Sequence, residues 1–90
     1  MKRLQVIISG KVQGVFFRHF TKKRASALGL SGEVRNTADK KVEAVFEGRR
    51  DTLQKMLQFC KKGPPGATVE KVEETWSNAT GEHNGFTVKH

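Results

Sequence analysis

Leu4, Val6 and Ile8 recur at every second position and then the spacing changes. Their alternation predicts a strand over about residues 3–10. From about 18 to 28 the period becomes helical, and Phe20, Thr21, Ala25 and Leu28 share a face. Gly29 follows as a residue that tolerates positive φ after a helix. Residues 31–37 and 41–47 read as two strands around the turn Ala38-Asp39-Lys40, with Val42, Ala44 and Phe46 on one face of the second. Leu53, Met56, Leu57 and Cys60 form an i, i+3, i+4, i+7 stripe in a second helix over about 50–61. Gly63-Pro64-Pro65-Gly66 stops that helix. Strands at about 68–76 and 85–89 complete the chain.

The order is β-α-β-β-α-β plus a short last strand. It predicts an α+β, ferredoxin-like split β-α-β sandwich, with two helices on one face of a mainly antiparallel sheet. A chain of 90 residues is one domain, 1–90, with a modest core. This architecture hosts many activities, so function has to come from particular residues.

Composition narrows the classes. No apolar run approaches the roughly 20 residues of a membrane span. Cys60 is the only cysteine, so no intramolecular disulfide is possible, which suits a reducing compartment. The first third carries Lys2, Arg3, Lys11, Arg18, Lys22, Lys23 and Arg24 and no acid, a bias also found in transit peptides. The strand pattern inside it argues against a removable leader, and the cytoplasm is the expected location. Net charge is +8, from 17 basic and 9 acidic residues, which invites anionic partners. His19, His83, His90 and the acids show no metal-ligand spacing, and no Ser/His/Asp or Cys/His arrangement is evident. Neither a metal nor a cofactor is expected.

The stretch Gly10-Lys11-Val12-Gln13-Gly14-Val15-Phe16-Phe17-Arg18 joins the first strand to the first helix. The first N–H groups of a helix lack intrahelical partners, and with the helix dipole they favour an anion. Gly14 lets backbone come close to a ligand. Arg18 adds a planar, permanently charged fork that fits phosphate oxygens two at a time. A cation at a helix start conflicts with the dipole, and a bound anion relieves the conflict. Asn36, near a strand end before a turn, reads from its type alone as a turn asparagine capping its own backbone. Phe16, Phe17 and Phe20 beside basic residues are expected in the core rather than as base-stacking rings. His19 is expected to face solvent. Lys22, Lys23 and Arg24 are expected on a solvated face with a secondary role in attracting anions. Cys60 is expected as a buried thiol, and Trp76 against the sheet or a helix.

Val12-Gln13-Gly14-Val15-Phe16-Phe17-Arg18 resembles the first signature of the acylphosphatase family. Gly32-Glu33-Val34-Arg35-Asn36-Thr37-Ala38-Asp39, continuing to Val42-Glu43, resembles the second, in the correct order. Leu28-Gly29-Leu30, Glu47-Gly48, Gly63-Pro64-Pro65 and Gly85-Phe86-Thr87-Val88 extend the likeness over nearly the whole chain. The resemblance implies hydrolysis of an acyl phosphate to a carboxylate and inorganic phosphate. It implies Arg18 and Asn36 as catalytic residues, with the backbone amides of Gln13, Gly14, Val15, Phe16, Phe17 and Arg18 holding the phosphoryl group. Thr37 is a supporting candidate. The family commonly has glycine where this chain has Lys40, so the turn either adopts φ > 0 at a non-glycine or differs.

The reaction suits so few parts. A carboxylate leaving group has a conjugate acid of pKa ~4, so no general acid is required. Asn36 cannot act as a base, but it can hold a water in line with phosphorus. The expected partners are a small acyl phosphate and product phosphate, with no membrane or nucleic acid, and a monomer is the simplest assembly. The alternative from another class is a small basic RNA-binding ferredoxin-like module, although no RNP1-like pattern lies on a strand. The run from Met1 to a short last strand reads as a free-standing enzyme rather than a carbamoyl-phosphate module of a larger protein.

Overall fold

The computed structural model describes residues 1–90. The chain runs β1 (Lys2–Lys11), α1 (Phe17–Ala27), β2 (Ser31–Asn36), β3 (Val42–Gly48), α2 (Arg50–Lys62), β4 (Thr68–Asn78) and β5 (Phe86–Val88). These form one five-stranded sheet in the order β4-β1-β3-β2-β5. All neighbours are antiparallel except β2 and β5, which pair parallel. The ferredoxin-like pattern is therefore present, with the short last strand as one edge.

Register explains the core. Leu4 pairs with Phe46, Val6 with Ala44 and Ile8 with Val42, while Val34 also faces Ala44 from β2. Paired residues share a face, so one row of apolar side chains crosses the sheet. Both helices lie on that face, α1 over β2 and β5, and α2 over β4 and β1. In α2 the stripe Leu53, Met56, Leu57 and Cys60 is fully buried, as its spacing requires. Burial pushes the Cys60 thiol up to about 12, so it behaves as a small apolar group. Trp76 lies half-buried on the helix side, with the Arg50 guanidinium 4.7 Å from its ring centroid.

The buried face of α1 differs from the expected one. The helix starts one residue earlier, and Phe17, Thr21 and Ala25 are the buried positions. Phe17 heads an i, i+4, i+8 row, which turns Phe20 to a half-buried flank beside the His19 ring. Thr21 is buried because its hydroxyl donates to the Phe17 carbonyl at 2.8 Å. Phe16, also expected in the core, is 76% exposed. It stands before the helix in the left-handed region, where its side chain points away from the packed layer.

The other face of the sheet is only partly open. Val45 and Glu47 are buried there under the segment joining β4 to β5. Glu47 is the anchor: it accepts from the Thr80 and Gly81 N–H groups at 2.9 Å each and from Arg3 at 2.9 Å. Burial alone would raise its carboxyl. The two backbone amides, the Arg3 guanidinium and the Thr80 hydroxyl outweigh that and hold it at about 2.

Candidate active site

At Ser9 and Gly10 the β1–β4 register shifts, and the strand bends out of the ladder into the loop before α1. A Cβ on Gly10 would meet the Thr68 carbonyl oxygen at 2.1 Å, so only glycine fits this bend. The loop then takes left-handed backbone at Gly14 (φ 74) and again at Phe16 (φ 60). Such alternation turns successive N–H groups to one concave side. A Cβ at Gly14 would project into open space rather than into protein, so its glycine serves the backbone and the hollow, not packing. Holding a bulky residue such as Phe16 in the left-handed region costs about 1–2 kcal/mol, which the surrounding fold must offset.

None of the N–H groups from Gln13 to His19 donates to a protein acceptor. No side chain caps α1, and its first turn holds no acid. The loop and helix start therefore present a run of free donors at the positive end of a helix dipole.

Arg18 and Asn36 line the same cleft, of about 560 Å³, together with Gly14, Phe16, Lys22 and His90. Asn36 reaches it by alternation. Gly32 and Val34 face the helices, and Asn36 is next in that row at the end of β2, opposite Val42. It is half-buried, and its carboxamide makes no hydrogen bond within the protein. Arg18 is oriented from the far end of the chain. Its Nη1 donates to the Lys89 carbonyl at 2.9 Å and lies 3.4 Å from His90 Nδ1. The Lys89 N–H is in turn bonded to the Val34 carbonyl at 2.8 Å. One of five guanidinium donors is thus used for positioning, and the others remain for a ligand.

The Gln13 side chain does more than its loop position suggested. Its Nε2 donates to the Thr37 carbonyl at 3.0 Å and to the Lys41 carbonyl at 2.8 Å. It ties the loop to the β2–β3 turn, next to Asn36. Thr37 itself works inside that turn: its hydroxyl donates to the Asp39 carboxylate and accepts from the Lys41 N–H at 3.0 Å. The Thr37 hydroxyl holds the Asp39 carboxyl below its usual range. Lys40 adopts φ 68, so the turn keeps the left-handed geometry and places a lysine in it. Neither the Gln13 contact nor the Lys89 contact was readable from spacing, since each joins segments far apart in the chain. No three His, Cys, Asp or Glu side chains come together as a metal-holding group. His19, Lys22, Lys23 and Arg24 are exposed, as expected, although His19 and Lys22 also border the cleft.

A ferredoxin-like sandwich with a run of free N–H donors at its first strand-to-helix junction places the chain in the class of small α+β domains with a donor-lined loop before the first helix. Known proteins narrow that class. The acylphosphatase family model matches residues 4–88. An acylphosphatase from Roseiflexus sp. is 50% identical over 88 residues, covering 98% of this chain and 95% of its own length. One from Pelotomaculum thermopropionicum is 48% identical over 86 residues, covering 96% and 94%. The crystal structure of acylphosphatase from Bacillus subtilis is similar at a TM-score of 0.96, with 33% identity and full coverage of both chains. The chain belongs to the acylphosphatase family.

Proposed function

We propose that this enzyme hydrolyses acyl phosphates to a carboxylate and inorganic phosphate, without a metal, through Arg18, Asn36 and the loop amides. The N–H groups of Gln13, Gly14, Val15, Phe16, Phe17 and Arg18 hold the phosphoryl oxygens, and the Arg18 guanidinium neutralises their charge. Asn36 accepts a hydrogen of a water and keeps its oxygen in line with phosphorus. The water oxygen forms the new P–O bond. The bond from phosphorus to the acyl oxygen breaks, its electron pair leaves on the carboxylate, and the water proton passes to a phosphoryl oxygen. The leaving group needs no acid, so positioning and charge stabilisation are the main requirements. Thr37 supports the site only through the turn that carries Asn36.

The observation that carries this reading is the run of unpartnered N–H groups from Gln13 to His19, of which Gly14, Phe16, Phe17, Arg18 and His19 line a cleft shared with Asn36 while Gln13 and Val15 do not. The RNA-binding alternative gains nothing. By register the open sheet face carries Arg3, Gln5, Glu33, Arg35 and Glu43, and no phenylalanine or tryptophan on which bases could stack. The lone buried Cys60 supports a cytoplasmic enzyme, and we take residues 1–90 as one acylphosphatase-like domain acting as a monomer. No helix is long and apolar enough to cross a membrane.

The test is an assay with EDTA present, comparing benzoyl phosphate with an alkyl phosphate ester. Benzoyl phosphate should turn over and the ester should not. A requirement for added metal, or equal turnover of both, would overturn the mechanism.

A further inference from the structure

The reaction just described uses one cation, yet the cleft holds a second. Lys22 stands one helical turn after Arg18, at i+4, and borders the same cleft. No carboxylate side chain lines that cleft. Six of the 17 basic side chains, Arg3, Arg35, Lys41, Arg49, Lys61 and Lys71, have carboxylate partners. None of the six lies on helix α1, the helix that enters the cleft. This helix carries Arg18, Lys22, Lys23 and Arg24, no acid, and takes part in no ion pair. Like charges at i and i+4 repel, and Arg18 lies at the positive end of the dipole. The phosphoryl group relieves Arg18. Nothing in the protein relieves Lys22.

Resting on the acyl phosphate reading, we propose that Lys22 is a specificity-determining residue that binds a second anionic group on the acyl part of the substrate. Four residues of helix set the Lys22 stem about 6 Å along the axis from that of Arg18. A compact acyl chain ending in a carboxylate or phosphate spans that separation while its phosphoryl group sits in the cradle. Acyl phosphates with a negatively charged acyl part are therefore preferred to neutral ones.

The test compares benzoyl phosphate with 3- and 4-carboxybenzoyl phosphate, which present the same ring to the exposed Phe16. The readout is the ratio of kcat/KM for a carboxylated over the plain substrate, so intrinsic reactivity cancels between protein variants. Lys22→Gln should lower that ratio about three- to fivefold for at least one of the two isomers, the size expected of a solvent-exposed ion pair. Lys23→Gln, an exposed neighbour outside the cleft, should leave it unchanged. Added salt should shrink the wild-type preference. An unchanged ratio in Lys22→Gln overturns the proposal, including the case in which all substrates slow equally because only the general field has weakened. A preference that Lys22→Gln keeps but rising pH removes would assign the second anion to His19 or His90 and also overturn it. Failure of the wild type to hydrolyse plain benzoyl phosphate would instead defeat the underlying reading.

Discussion

Removing the Gln13 side chain should uncouple the loop proposed to hold phosphate from Asn36, the residue proposed to aim water. Gln13 Nε2 faces two carbonyl oxygens, at 3.0 Å on Thr37 and 2.8 Å on Lys41. In Gln13→Ala both contacts go. The Thr37 carbonyl keeps the Lys40 N–H at 3.3 Å, and the Lys41 carbonyl keeps the Thr37 N–H at 2.9 Å, so neither is orphaned. Two hydrogen bonds at about 1 kcal/mol each, offset by about 1 kcal/mol of regained side-chain entropy, leave a net loss of about 1 kcal/mol. For a domain of this size that is a Tm fall of about 4–8 °C. Catalysis should suffer more. The loop proposed to hold phosphate and the turn bearing Asn36 are then no longer fixed to each other, and a misplacement of about 1 Å costs up to ~100-fold. The assay is kcat/KM on benzoyl phosphate at 25 °C, beside thermal melts and competitive inhibition by phosphate. Turnover should drop about 10- to 100-fold while phosphate inhibition weakens far less. Gln13→Glu, which has no donor and sets a carboxylate against two carbonyls, should be worse on every measure. A Gln13→Ala protein that melts lower yet keeps wild-type kcat/KM would show that the contact braces the fold and has no part in positioning.

Arg18→Gln should lower kcat/KM by at least ~10²–10³, the size of one lost oxyanion-type donor, and retention of most activity would remove its assigned role. Asn36→Ala should lose turnover but still bind phosphate, since its carboxamide makes no bond to the cradle, and a phosphate titration showing lost affinity would contradict that division. The Glu47 carboxyl is held at about 2 against an ordinary 4.5, so its contribution is complete above about 4.5 and disappears as pH falls towards 2. The wild type should lose stability on the order of 3 kcal/mol across that window, and Glu47→Gln should lose less; parallel stability–pH curves would show that Glu47 is not the linked group. Lys40→Gly places glycine at φ 68 and should stabilise by about 0.5–1 kcal/mol, read as a higher urea midpoint with an unchanged m-value. A lower midpoint would mean that the turn gains more from the lysine than it loses in strain.

The α2 stripe was legible because every member lies within seven residues of the next turn's contacts, and helical burial repeats at that distance. Strand edges agreed to within a residue or two wherever Gly or a turn cluster bounded them, and β4 ran longer because nothing local stops it before Asn78. The α1 face was misplaced because its stripe was counted from Phe20 instead of Phe17, and the two adjacent phenylalanines before it, Phe16 and Phe17, offer the same chemistry to a helix start. Only the left-handed backbone at Phe16 decides which of them enters the core. The open-face cover was missed altogether. Glu47 reads locally as an outward polar residue of a strand, and its partners at Thr80 and Gly81 come from a segment with no periodicity.

The order of residues was enough to set the alternation of strand and helix, the glycine bend before α1 and the two signature segments that carry Arg18 and Asn36. These depend on backbone preferences and spacings acting over a few residues. Bringing that guanidinium and that carboxamide to one cleft required the β4-β1-β3-β2-β5 order, which sets the end of β2 beside the start of α1. The grip of Gln13 on the β2–β3 turn and of the Lys89 carbonyl on Arg18 likewise arises only when the sheet closes, because contacts between distant segments follow from strand register and helix packing.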